Sequence, residues 1–204
     1  MMETTSVVSR SVPEFESRSE AGVLLVIRAA RGDQEAFRLL FERYARPVMS
    51  FLYDMVGQRE LAEDLVQETF VRAYRNLRSH RDPSCFSTWL FGIARNTARE
   101  LIRSRIREGH RVELEDDEVL EVEDGMKTPD AEFLSKELNR VIHKALGELA
   151  EDKRLVFTLK ILHQRSYEEI ADILHLPIGT VKSRLNRARL ALAEILRREP
   201  ELFG

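Results

Sequence analysis

Sulfur and the residues that break backbone regularity are scarce in this chain. Its 204 residues include one cysteine, Cys85, which can form neither an intramolecular disulfide nor a cysteine-rich zinc site; a secreted, disulfide-stapled scaffold and a zinc finger are thereby excluded. Nine glycines and six prolines are too few for a collagen-like or fully disordered chain. No apolar run approaches the ~18 consecutive residues of a membrane-spanning helix. Glu3, Glu14, Glu16 and Glu20 occupy the stretch where a secretory signal would carry basic and then apolar residues. There is no Gly-rich phosphate loop. The five histidines, His80, His110, His143, His163 and His175, show no metal-ligand spacing, and no base is expected beside Cys85. No catalytic residue, metal or cofactor is therefore expected, the histidines should sit singly at the surface, and the reducing cytoplasm suits the composition.

Charge and helical periodicity are what the chain has in abundance. The formal net charge of −3 hides a segregation of sign. Between Arg72 and Arg111 ten arginines face Asp82, Glu100 and Glu108, a net of +7; between Glu113 and Glu137 eleven acids face Lys127 and Lys136, a net of −9. From Lys182 to Arg198 six bases face Glu194, a net of +5. Two basic modules flanking an acidic one suit a protein that touches a polyanion twice, because Lys and Arg release counterions from phosphates. Charge alone fits solvated helix faces equally well.

The periodicity predicts an all-α fold of two small helical domains joined by a flexible acidic linker. Residues 1–22 read as a flexible N-terminal extension. Gly32-Asp33 supplies a stop and an N-cap for a helix carrying Ala36, Leu40, Tyr44, Val48, Phe51, Leu52 and Met55 up to Gly57, with Pro47 expected to kink or interrupt it. Helices are expected over about Arg59 to Leu77 and Ser87 to Arg107, completing a first domain at 23–108. The linker spans 109–130, the second domain 131–198 and a tail 199–204. In the second domain Ser166-Tyr167-Glu168-Glu169 has the form of a capping box, His175 to Gly179 forms a turn, and Thr180 is positioned to cap a last long helix. That is the pattern of a helix-turn-helix.

Three faces stand out. On the last helix Val181, Leu185, Ala188 and Leu192 form a buried stripe, and Ser183, Asn186 and Arg187 lie opposite with Lys182 on the flank, residue types that bond base edges and phosphates in a major groove. On the third helix Arg95, Arg99 and Arg103 recur at i, i+4, i+8 as a continuous cationic stripe, bordered by Trp89 and Asn96. Trp89 could stack an unpaired base or belong to the core. On the second helix Asp64, Gln67, Glu68 and Val71 cluster away from the apolar side, a face suited to a basic protein partner or to solvent.

These residues carry a resemblance. Gly32-Asp33-Gln34-Glu35-Ala36-Phe37, Ala62-Glu63-Asp64-Leu65-Val66-Gln67-Glu68-Thr69-Phe70, Trp89-Leu90-Phe91-Gly92-Ile93-Ala94-Arg95-Asn96, and Ser166-Tyr167-Glu168-Glu169-Ile170-Ala171 with Gly179-Thr180-Val181-Lys182-Ser183-Arg184 together resemble a bacterial extracytoplasmic-function sigma factor of the sigma-70 family, over about residues 23–198. The resemblance implies that 23–108 binds core RNA polymerase and the minus-10 element, and that 131–198 reads the minus-35 element. It assigns polymerase binding to Asp64, Gln67 and Glu68. Minus-10 binding and melting fall to His80, Asp82, Ser84, Trp89, Arg95, Asn96, Arg99 and Arg103, with the loop from His80 to Ser84 matching a segment that captures a flipped base. Minus-35 binding falls to Thr180, Lys182, Ser183, Arg184, Asn186 and Arg187. An anti-sigma factor is the implied inhibitor. Ala150 stands where the family often has proline, and Asn186 where an aromatic residue is common. A free-standing DNA-binding regulator and an inactive decoy homologue are the rival readings.

Overall fold

A computed structural model describes residues 19–108 and 141–198. Most of the expected N-terminal extension, the whole acidic linker, the start of the second domain up to residue 140 and the C-terminal tail lie outside the described residues. Every regular element among the described residues is helical, in keeping with the all-α expectation.

Helix α1, Glu20–Ala30, begins where the Ser19 hydroxyl accepts the Gly22 N–H at 3.2 Å. It therefore starts inside the span expected to be an extension. Gly32 turns the chain with φ of 97°, a left-handed conformation that favours glycine. Asp33 then caps α2, Gln34–Val56, by accepting the Ala36 N–H at 3.0 Å, while Arg28 Nε donates to the same carboxylate at 2.9 Å. The Ala36 N–H and then Arg28 hold the Asp33 carboxyl below the usual carboxylate range.

Pro47 does not interrupt α2, which runs unbroken to Gly57. A proline inside a helix costs about 3 kcal/mol, whereas each large apolar side chain buried along a helix contributes about 1.5–3 kcal/mol. Leu40, Tyr44, Val48, Phe51 and Leu52 are all buried on the two sides of Pro47, so packing outweighs the lost hydrogen bond. Helix α3, Arg59–Asn76, buries Ala62, Val66, Thr69, Phe70 and Ala73. A short 3-10 turn at Leu77–Ser79 and another at Pro83–Cys85 lead into α4, Phe86–Arg107. Tyr44 meets Phe86, and Phe51 meets Phe91, with ring centroids 5.3 Å apart in each pair.

The second group comprises α5, of which residues 141–148 are described, then α6, Glu151–Phe157, which continues into a π turn at Thr158–Leu162. Helix α7, Tyr167–Leu174, opens on the expected capping box: the Ser166 hydroxyl accepts the Glu169 N–H at 3.0 Å and the Glu169 carboxylate accepts the Ser166 N–H at 2.9 Å. Helix α8, Ile178–Leu196, begins earlier than expected. Pro177, with φ fixed near the helical value and no N–H to satisfy, makes the entry, and Thr180 lies in the first turn instead of capping it. Ala150 serves as the N-cap of α6 without a side-chain bond.

The two groups share one continuous core. Helix α4 packs along α7, and the π turn packs on α2.

Replacing Ser166 by alanine removes one half of the capping box and should lower stability by about 1 kcal/mol. Urea denaturation of the full chain followed by circular dichroism checks this, and Ser166→Asp, which keeps a capping oxygen, should recover most of the loss.

Candidate polymerase and nucleic-acid interfaces

The acidic face of α3 is exposed as expected. Asp64, Gln67 and Glu68 all lie on the surface, above the buried row Leu65, Val66, Thr69 and Phe70. Glu68 is tied to Arg72, whose Nε donates to it at 2.6 Å while its Nη2 reaches Glu100 of α4 at 2.8 Å. These two carboxylates raise the Arg72 guanidinium above its ordinary range. Val71 and Tyr74 are 41% and 49% exposed and share the helix face of Asp64 and Gln67, since residues three and four apart lie on one side. The face thus combines carboxylates with exposed apolar groups. Tyr74 was not singled out by periodicity; its place beside Val71 and Gln67 on the wheel was the available signal.

The loop between α3 and α4 is held by its own side chains. The Asp82 carboxylate accepts the Ser84 N–H at 3.0 Å, the Ser84 hydroxyl at 2.6 Å and the Cys85 thiol at 3.3 Å. Those donors, the Ser84 hydroxyl first, hold Asp82 below the usual carboxylate range. Cys85 is thus a structural donor, a role no sequence motif announced. The His80 ring stacks on Trp89 with centroids 4.5 Å apart and planes 21° from parallel. Trp89 is half-buried and also packs against Phe86 at 5.8 Å, so one body of the indole belongs to the core and one face is covered by His80.

The arginines of α4 do not form a free stripe. Arg95 is 8% exposed, and its guanidinium donates to Asn96 Oδ1 at 2.7 and 3.2 Å. Burial, and then the like charge of Arg99, push it below the ordinary arginine range. Arg99 Nε pairs with Glu151 of α6 at 2.6 Å. Arg103 and Asn96 are exposed. The continuous cationic stripe is corrected in this respect: helical spacing aligned the three arginines, but α6 and α7 cover the first two.

On α8 the division is as expected. Val181, Leu185 and Ala188 are buried, and Lys182, Ser183, Asn186 and Arg187 are exposed, while Leu192, expected to complete the buried stripe, is only partly buried. The Ser183 hydroxyl donates to the Thr180 carbonyl at 3.0 Å, and the Lys182 ammonium lies 5.4 Å from the Tyr167 ring centroid. His175, with φ of 53°, makes the left-handed turn between α7 and α8. Arg184 points elsewhere: its Nε is 3.5 Å from Asp152 Oδ2 of α6. Arg95, Arg99 and Arg184, with Glu151 and Asp152, line a cleft of about 420 Å³ between the two helix groups.

Sigma-70 region 2 matches residues 40–108 and sigma-70 region 4 matches residues 139–192. The ECF RNA polymerase sigma-E factor of Haemophilus influenzae is 40% identical over 170 residues, covering 81% of this chain and 89% of that protein. The ECF RNA polymerase sigma-E factor of Escherichia coli K12 is 40% identical over 177 residues, covering 83% and 91%. The chain belongs to the extracytoplasmic-function sigma factors of the sigma-70 family. Among solved structures, CnrH in complex with the cytosolic domain of CnrY superposes with a TM-score of 0.67 at 27% identity, covering 88% of this sigma factor and 99% of that chain. The sigma factor RpoE in complex with the anti-sigma factor NepR from Bartonella quintana gives 0.64 at 30% identity, covering 79% and 96%.

In this sigma factor the region 2 match begins within α2 and ends with α4, and the region 4 match takes in α6, α7 and most of α8. Among the described residues no group of His, Cys, Asp and Glu could hold a metal, and no helix is long and apolar enough to cross a membrane. Two of the five histidines depart from the surface placement expected of them. His163 and His143 are buried, and both approach the Asp54 carboxylate, His163 Nε2 at 2.9 Å and His143 Nε2 at 3.6 Å. The signal that could have found them is Asp54 itself, an acid inside the run Phe51-Leu52-Tyr53-Asp54-Met55-Val56, where burial requires a partner.

Burial lowers the His80 pKa below its ordinary value of about 6.5, outweighing the opposing pull of Asp82. The native state then binds fewer protons than the unfolded one, so His80 favours folding above pH about 6.5 and ceases to as pH falls through its lowered value. Trp89 is the sole tryptophan, and an imidazolium stacked on it quenches its fluorescence. A fluorescence titration should show a midpoint below 6.5 that His80→Gln abolishes.

Proposed function

We propose that this sigma factor recruits core RNA polymerase to a subset of promoters through three separate surfaces and takes no catalytic part itself. Asp64, Gln67 and Glu68 bind core polymerase, with Val71 and Tyr74 supplying the apolar part of that contact. The loop His80, Asp82 and Ser84, with Trp89, Arg95, Asn96, Arg99 and Arg103, binds the minus-10 element and assists melting. Thr180, Lys182, Ser183, Arg184, Asn186 and Arg187 serve the minus-35 element. Residues 23–108 and 131–198 act as the two domains, the acidic stretch 109–130 as their connection, and the cytoplasm is the compartment in which polymerase is met. Solved relatives in complex with an anti-sigma factor and with the cytosolic domain of CnrY support an anti-sigma partner for this chain as well.

The observation that carries this reading is α8. Four polar residues capable of base and phosphate contacts project from a helix that buries Val181, Leu185 and Ala188 on its opposite face, directly after a turn and a capped helix. Asn at position 186 favours adenine, where an aromatic residue would pack on thymine methyls. Arg187→Ala should weaken minus-35 binding by about 1–3 kcal/mol and relax preference at one base position if the guanidinium makes a bidentate guanine contact. Electrophoretic shifts over single-base promoter variants check this; equal weakening of all variants marks a phosphate contact, and no effect on any removes Arg187 from the interface.

The polymerase surface is tested separately. Asp64→Arg combined with Glu68→Arg should abolish co-elution with core polymerase and promoter-specific run-off transcription, a loss of several kcal/mol for two reversed charges against a basic partner. Both residues are exposed, so circular dichroism should show an unchanged fold. Undiminished polymerase binding by the folded double mutant overturns the assignment.

A further inference from the structure

We propose that His80 is a built-in cover for Trp89: in the free chain its imidazole lies where an unpaired base would stack, and a flipped-out base of single-stranded DNA takes that place by displacing it. This rests on the minus-10 reading of Trp89 and of the loop from His80 to Ser84 given above, and adds to it what His80 does there. The two rings lie with centroids 4.5 Å apart and planes 21° from parallel, the stacked arrangement in which an aromatic side chain receives a base. On its core side the indole meets Phe86, fully buried, at 5.8 Å with ring planes 48° apart. The surface that His80 covers is therefore the one a base can reach. An imidazole is itself one of the two rings of a purine, so the cover resembles the ligand it gives way to.

The loop lets the ring leave while its backbone stays. Before it, the carbonyl of buried Leu77 accepts the His80 N–H at 3.1 Å, the Ser79 hydroxyl donates to the Asn76 carbonyl at 2.7 Å, and the Asn76 amide donates to the Arg72 carbonyl at 2.8 Å. After it, the Asp82 carboxylate is committed to Ser84 and Cys85, and Phe86 enters the core. Both ends of the short stretch are anchored, so rotation about the His80 side-chain bonds is the motion left to it. The hold of the ring on Trp89 is incomplete. It meets the Asp82 backbone, but its Nε2 is buried with no hydrogen-bond partner among the described residues, and a buried nitrogen without a partner forgoes the bond that water would give it. Swinging out returns that nitrogen to solvent, while the base that replaces the ring keeps the indole out of water.

The test uses the full chain and the anisotropy of two fluorescently labelled strands of equal length, oligo-dA and the same backbone without bases. His80→Ala should uncover the indole, so that acrylamide quenches the fluorescence of Trp89, the sole tryptophan, more strongly than in the wild type. Oligo-dA should then bind about fivefold tighter, the worth of the ring pair that a base no longer has to break, while the abasic strand binds as it does to the wild type. His80→Phe keeps a stacked ring and has no nitrogen to leave unpaired; it should bind oligo-dA more weakly than the wild type, with quenching no stronger. The cover is overturned if His80→Ala binds oligo-dA no more tightly than the wild type, if it tightens both strands alike, or if His80→Phe binds oligo-dA as tightly as His80→Ala. Trp89→Leu, which keeps an apolar body against Phe86, separates this from the underlying assignment. If Trp89→Leu weakens oligo-dA binding while His80→Ala brings no gain, the minus-10 role of Trp89 stands and the cover alone falls; if Trp89→Leu binds oligo-dA as the wild type does, the minus-10 role of Trp89 falls and the cover with it.

Discussion

A carboxylate in an apolar interior has to be met by donors, and Asp54 of α2 is met by imidazoles from the far half of the chain. Leaving it unpaired would cost several kcal/mol, so its position constrains whatever packs over it. The π turn at Thr158–Leu162 is what delivers His163 to that place; a regular α-helix through the same residues would rotate the ring away, since one extra residue per turn shifts the register by roughly 100°. Arg165 then falls on Phe91, Ser166 caps α7, and α7 lies along α4. The direction in which α8 presents its polar face follows from α7 through the left-handed turn at His175. A single buried acid therefore propagates its requirement as far as the recognition helix.

The same physics that makes this pairing specific keeps it from being strong. Burying an ion pair forfeits hydration of both groups, and the attraction gained roughly repays that loss. The exposed pairs at the cleft add little stability, about 0–1 kcal/mol each, but they decide which cations are available. Among the arginines between Arg72 and Arg111, Arg72 and Arg99 meet carboxylates in the fold, Glu100 and Glu151, groups that a guanidinium binds as it binds phosphate.

Local features were legible in the sequence and long-range ones were not. The capping box at Ser166 and Glu169, the stop at Gly32, the cap at Asp33 and the buried row Val181, Leu185 and Ala188 all depend on residues within four positions of each other, the distance over which helix periodicity and caps operate. The all-α class followed from those features alone. Pro47 does not interrupt α2 because a local rule about proline meets a tertiary packing term larger than itself. Thr180 does not cap α8 because the helix starts earlier, with Pro177 at its N-cap, inside the stretch that the sequence reads as a turn. The covering of Arg95 and Arg99, and the burial of His143 and His163, come from residues 50 or more positions away. Spacing on one helix carries no information about them.

The recognition helix shows how these two scales meet in one element. Its buried stripe is written in its own sequence, and so is the polar face opposite. Arg184, however, sits between the two, half-buried and directed at Asp152, while Lys182, Ser183, Asn186 and Arg187 point outward. A wheel places Arg184 at the border, and the border residue is the one whose partner depends on what lies beside the helix. That neighbour is Asp152, an acid of α6. The surroundings of Arg184 are accordingly set by the whole fold, while the outward direction of Lys182, Ser183, Asn186 and Arg187 is set by the helix itself.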